Sequence, residues 1–279
     1  NKRTFMPILG VYLLTVPGAT AQSVGLMVLV GYLSSFLFEI PSGYVSDRIG
    51  HKTALVLARL CLLLSSLFFL IGTEIYIFVL GSALLNIGMA FHSGTGVAFM
   101  HETLRALGRE KEYAKIQGRI GAVGFAVPIA LIVAIPFLAS ISYKVPFALA
   151  VLVDIVGLLV TASFVVPPGS RAEIQEIGVT NFRGVLKEGW KSGFFKYAVF
   201  TAVMGGAVTA VSSFKDVYQA LMGIPIIYFG VFWGISRVLV ALLLLVNQKI
   251  KDFLTLHQFL LARVVLAVAL ISVLAFASS

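Results

Sequence analysis

Charge is scarce in this chain: only 12% of its 279 residues are Asp, Glu, Lys or Arg, where soluble domains run near a quarter. Acidic residues are scarcest, 12 against 21 basic ones. There is one cysteine, Cys61, set within an apolar run, which excludes disulfides within the chain and cysteine-based metal sites. Catalytic signatures are missing too. His101-Glu102 is not followed by a second histidine four positions after the first, and neither Gly-x-Ser-x-Gly nor the phosphate-binding Gly-x-x-x-x-Gly-Lys occurs. No enzyme activity, no metal and no cofactor are therefore expected, and no ATP site to power a process directly. No basic n-region with a small-residue cleavage site follows Asn1, so no signal peptide is expected.

What is abundant is apolar sequence. Hydrophobic residues make up 59% of the chain and the mean hydropathy is +1.01, which is the composition of an integral membrane protein. A helix needs about 20 mostly apolar residues to cross a bilayer, so there is room for about nine crossings. The net charge of +9 could suggest a nucleic-acid partner, but the basic residues fall in short loops at alternate ends of the spans. Arg48, Lys52, Arg105, Arg109, Lys111, Lys115, Arg119, Arg171, Arg183, Lys187, Lys191, Lys196, Lys249 and Lys251 collect on one side, and only Lys144 and Lys215 on the other. That is the positive-inside pattern; it places the first group in the cytoplasm and removes the need for nucleic acid.

The run from Phe5 to about Pro17 is short for a span, so the first helix is expected to be truncated. Further spans are predicted over about 24–44, 53–71, 75–99, 118–138, 145–166, 194–214, 225–246 and 256–277. Three segments follow: an N-terminal bundle over 1–166, a cytoplasmic connection over 167–193, and a partial C-terminal bundle over 194–279. Within the connection, Phe182, Val185, Leu186 and Trp190 recur at helical spacing while Arg183, Lys187 and Lys191 form a row. This is the pattern of an amphipathic helix on anionic membrane lipid, weakened by Gly184 and Gly189.

Two stretches repeat. Val11-Tyr12, then Gly18 and Gly25, is matched by Val217-Tyr218, then Gly223 and Gly230, at an offset of 205 or 206, and Leu57-Ala58-Arg59-Leu60 is matched by Leu261-Ala262-Arg263-Val264 at 204. A duplicated half would arrange two bundles about an axis along the membrane normal.

Ionisable residues inside spans are expensive and so are functional candidates. Glu39 can pair with an arginine such as Arg119, carry a proton, or snorkel. Asp154 lies near the middle of its span and can bind a proton or cation. Arg237 is the leading candidate for substrate or anion contact, or for pairing with an acidic group; Arg59 and Arg263 lie nearer helix ends and are expected to snorkel. Asn86, His92 and Met89, with Met204 and Thr201, are candidate pore-lining residues for which packing is the competing reading.

Between the second and third spans lies Gly43-Tyr44-Val45-Ser46-Asp47-Arg48-Ile49-Gly50-His51-Lys52. It resembles the signature loop of the major facilitator superfamily, Gly-x-x-x-Asp-Arg-x-Gly-Arg-Lys, with Gly43, Asp47, Arg48, Gly50 and Lys52 in register and His51 where the pattern has Arg. Glu39-Ile40-Pro41-Ser42-Gly43 and the stretch from His92 to Tyr113 resemble an efflux-type bacterial branch. The resemblance implies an all-α polytopic helical bundle, part of a twelve-span architecture with about nine spans present and the last three lacking. It implies a small-molecule substrate moved by alternating access in the inner membrane, with H+ or Na+ as coupling ion. It also implies that Asp47 and Arg48 bridge neighbouring helices to hold an inner gate closed. A histidine at 51 removes a fixed charge from that loop and is expected to make it mildly pH-sensitive. The competing reading is a truncated membrane sensor or assembly partner that does not transport.

Overall fold

The computed structural model describes residues 3, 5–166, 190, 194–236, 238–239, 258, 261–262, 264–265 and 268. Side chains are described for these apart from 40, 122, 125–130, 132, 194–198, 201, 202, 204, 207 and 208. Helix is the only regular structure among them: α1 Leu9–Leu13, α2 Ala21–Ile49, α3 His51–Ile71, α4 Ile75–Ala106, α5 Tyr113–Ile141, α6 Lys144–Ala162, α7 Phe194–Ser213, α8 Lys215–Leu221 and α9 Ile226–Ser236. The amphipathic connection before Phe194, apart from Trp190, lies outside the described residues, as do Arg237 and most of the expected ninth span.

Helix ends follow local chemistry. Thr20 is extended, and its side chain and that of Ser23 form a capping box at the start of α2, satisfying donors that a bare helix end would orphan. α2 then runs unbroken through Pro41 and Gly43 to Ile49. The expected ten-residue turn is therefore mostly helix, and Gly50 alone, at φ 88, reverses the chain into α3. Only glycine holds that left-handed conformation without strain. α4 likewise outruns its predicted end by a turn or more and stops at Gly108, φ 66. There Arg109 N–H donates to the Leu104 carbonyl and Gly108 N–H to that of Arg105, a Schellman closure.

Two units are present, one comprising Asn1–Gly178 with Asp216–Val231 and the other Val179–Lys215 with Phe232–Ser279. In the first, α4 packs along α2 and α3, and α3 along α6. Its outside is apolar: Leu29, Phe36, Leu152, Leu159 and Val165 are all exposed. Its inside holds polar groups, with Ser65, Ser66, Ser82, Asp154 and Arg3 buried. That inversion suits hydrocarbon as solvent, because side chains need not hide from lipid whereas polar groups must. Among the described residues four helices, Ala21–Glu39 within α2, α3, α4 and α6, are long and apolar enough to cross a membrane.

At the end of this unit opposite Gly50, aromatic rings make the core. Phe5 packs on Phe69 and Phe147 at centroid distances of 5.6 and 4.9 Å. Tyr12 meets Phe78 and Phe147 at 5.4 and 4.7 Å. Rings so placed contribute about 0.5–1.5 kcal/mol per pair beyond their buried area. They hold the short α1 although it is far below the length at which a helix stands alone.

Candidate functional site

The signature residues sit where α2, α3 and α4 converge. Gly50 makes the reversal so tight that His51, the first residue of α3, lies back against α2: its Nδ1 is 3.1 Å from Ser46 Oγ. Its Nε2 is 3.2 Å from Glu102 Oε1 on α4. Thr95 Oγ1 of α4 donates to Ser46 Oγ at 3.0 Å, so one buried histidine ties three helices together. An arginine at 51, which has only donors, could give the bond to Glu102 but could not accept one from Ser46. Farther up α2, Ser42 Oγ donates to the Glu39 carbonyl at 2.9 Å and to the Ala90 carbonyl of α4 at 3.3 Å.

Between these contacts is a cavity of about 240 Å³ lined by Glu39, Ser42, Ser46, Asp47, His51 and Ser93, among others. Glu39 is exposed, with Ser93 Oγ 3.4 Å from its Oε1; among the described residues no cation lies within ion-pair distance, so the expected pairing with Arg119 is not formed here. Asp47 and Arg48 are exposed at the helix end, and the Arg48 guanidinium lies 4.7 Å over the Tyr44 ring. Lys52 is half-buried one residue beyond His51.

The remaining candidates divide. Asn86 faces α2 and donates to the Ser82 carbonyl at 2.9 Å. A Cβ at Gly31 would overlap Ser82 Oγ and lie 2.6 Å from Asn86 Nδ2, so α2 and α4 touch here only because residue 31 lacks a side chain. His92 instead lines a second cavity, about 550 Å³, with Arg59, Thr103, Gln117 and Phe164. The Arg59 guanidinium is directed inward, 3.3 Å from where a Gly157 Cβ would stand, rather than toward a helix end.

Asp154 belongs to neither cavity. Its Oδ2 accepts from Arg3 Nη1 at 2.5 Å and from Ser66 Oγ at 2.6 Å, with side chains of Arg3 and Asp154 only 6% and 2% exposed. The sequence pointed to a carboxylate near mid-span that could bind a proton or cation, whereas the structure pairs it with Arg3. Three further contacts had no sequence signal as a group: Ser46 with Thr95, Glu102 with His51, and Asp216, whose carboxylate accepts from the N–H groups of Gly10 and Val11.

A transporter named as uncharacterized from Buchnera aphidicola is 27% identical over 171 residues, 61% of this chain and 41% of that protein. The inner membrane transport protein YajR of Escherichia coli is 29% identical over 126 residues, 45% of this chain and 26% of that protein. The matched segments thus span less than half of either relative. The family model of the Major Facilitator Superfamily matches residues 1–279. With its multi-pass helices, apolar exterior and signature hairpin, this chain belongs to the Major Facilitator Superfamily.

Proposed function

We propose that the chain works as a secondary active transporter, moving a small molecule across the inner membrane by alternating access and drawing on a proton or sodium gradient, with efflux as its direction. The observation that carries this reading is the polar seam between α2 and α4. Ser42, Ser46 and Thr95 are buried there beside Glu39 and Ser93, in helices whose other faces are apolar. Polar groups at such depth are costly unless they line a path or hold a joint.

The parts take different roles in this reading. Ser46, His51, Thr95 and Glu102 make the hairpin one rigid piece. Gly43, Asp47, Arg48, Gly50 and Lys52 form the cytoplasmic gate at its tip, where exposed Asp47 is available to a partner helix. Glu39, with Asn86 deeper in α4, faces the substrate or ion pathway, and His92 faces it from the second cavity. Arg237 supplies substrate or anion contact from the eighth span. Asp154 is a structural anchor, because its pairing with Arg3 already balances its charge.

Expression in an efflux-deficient bacterial host, with intracellular accumulation of a panel of labelled amphipathic small molecules as the readout, tests this. At least one compound is expected to accumulate less with the parent than with Asp47→Asn at equal membrane abundance. Equal accumulation for every compound would count against efflux.

A further inference from the structure

The two turns that repeat in sequence meet in space. With Val217-Tyr218 answering Val11-Tyr12, Asp216 answers Gly10, and these two corresponding residues touch. Asp216 Oδ2 accepts from Gly10 N–H at 2.6 Å and from Val11 N–H at 3.1 Å, while Oδ1 accepts from Val217 N–H at 3.0 Å. Equivalent positions of a duplicated chain can contact each other only beside the axis that relates them. Where the first repeat has glycine the second has a carboxylate, and the glycine is needed: a Cβ at position 10 would stand 2.8 and 2.9 Å from the two carboxylate oxygens.

This carboxylate is 3% exposed and no cation is within ion-pair distance among the described residues. α1 brings one titratable side chain, Tyr12, whose ring is packed on Phe78, Tyr143 and Phe147. α8 brings Lys215 and Tyr218; the Lys215 ammonium lies 5.1 Å from the centre of the Trp233 ring and 3.3 Å from Ser236 Oγ. Among the described residues Asp216 is thus held by backbone donors alone, at the end of the bundle opposite Gly50.

Resting on the transporter reading above, we propose that Asp216 is a proton-linked clasp on the outer side of the pathway. Its carboxyl holds the Gly10-Val11 backbone when that side is closed, and closure takes up a proton from the outside. Burial pushes the Asp216 carboxyl up to about 6, against the downward pull of the hydrogen bonds from Val11, Gly10 and Val217. When the clasp opens, water restores an ordinary value near 3.9. The clasped form therefore binds the proton more tightly. Acid favours closure, and raising the pH from about 4 to above about 6 favours opening, by about 100-fold at the limit.

The test uses the full chain in intact cells, with Cys61→Ala and one reporter cysteine. Val217→Cys places the reporter inside the clasp, where Val217 is 4% exposed, and Met222→Cys, at 46% exposure, is the reference on the same turn. An impermeant methanethiosulfonate reagent is applied from about pH 4 to about pH 8, and the 217-to-222 rate ratio cancels the pH dependence of the thiol itself. The ratio is expected to rise with pH by tens of fold, to become flat in Asp216→Asn, and to be high at every pH in Gly10→Ala. A parent ratio that is flat or falls with pH overturns the proposal, and so does Asp216→Asn retaining the parent's rise. Reference labelling at Met222→Cys reports that each variant is folded and inserted, and should Gly10→Ala fail it, the Asp216→Asn arm decides alone. A rising ratio without any substrate flux would remove the transport reading and keep the clasp; flux with a flat ratio would remove only the clasp.

Discussion

Arg3 and Asp154 are 151 residues apart in the chain and 2.5 Å apart in space, joined by Ser66, which donates to the same carboxylate oxygen. The pair fastens the segment before α1 to the middle of α6, beneath the Phe5, Phe69 and Phe147 rings. Asp154→Asn leaves the Arg3 guanidinium buried without a counter-charge and is expected to cost about 3–5 kcal/mol, whereas Arg3→Met with Asp154→Leu, which removes both charges, is expected to cost far less. Thermal unfolding of the purified protein in detergent measures both. A single variant as stable as the parent would show that the pair is not an anchor.

The contact between α2 and α4 depends on the missing side chain at Gly31. Gly31→Ala drives a methyl against Ser82 Oγ and Asn86, and such overpacking costs about 1–3 kcal/mol. Ser82→Gly in the same chain is expected to recover part of that loss, because it empties the space the methyl enters. The comparison of melting temperatures among the two single variants and the double one decides it.

His51 joins Ser46 of α2 to Glu102 of α4. His51→Ala leaves Glu102 without this partner and Ser46 with Thr95 alone, an expected loss of about 1–3 kcal/mol. His51→Arg restores the residue common in the resembled loop and can reach Glu102, but it cannot accept from Ser46. It is therefore expected to be intermediate. Limited proteolysis of the segment between Ile49 and Lys52 in membranes gives the order; His51→Arg cleaved as fast as His51→Ala would remove the Glu102 contact from the account.

The charge bias of the loops predicts orientation. Single cysteines at Lys144 and Lys215, in a Cys61→Ala background, are expected to react with an impermeant thiol reagent from outside intact cells, and those at Arg109 and Lys187 only after permeabilisation. The reverse labelling would invert the topology and move the Asp216 clasp to the cytoplasmic side.

Much of the fold was legible because lipid imposes few solutions: long apolar runs had to be helices, and the short charged stretch over 43–52 had to contain a reversal. Helix ends were read less well. Pro41, Gly43 and the charged Asp47 and Arg48 resemble a turn in sequence, yet α2 continues through them, since Ser42 and Ser46 are anchored to α4 and keep the helix in place. The same holds for α4, which extends past Phe99 as far as the Gly108 closure. Individual candidate residues such as Asp154 and Glu39 could be singled out by depth alone, because an ionisable group in hydrocarbon stands out. Their partners could not, for Arg3 and Ser66 come from distant segments and neither spacing nor periodicity links them. Asp216 escaped notice for a related reason: it looks like an ordinary polar residue in a turn until Gly10 is seen beside it.

Gradient-driven flux is the most direct test of the account. The purified full chain is reconstituted in proteoliposomes and assayed with a labelled compound identified by the accumulation screen, under an imposed proton gradient, an imposed sodium gradient, or none. Flux that follows one of the gradients, stops when an ionophore collapses it, and is lost in Arg237→Ala with protein content unchanged is the predicted result. Flux that is equal with and without either gradient, or absent for every compound the cells exclude, would contradict it.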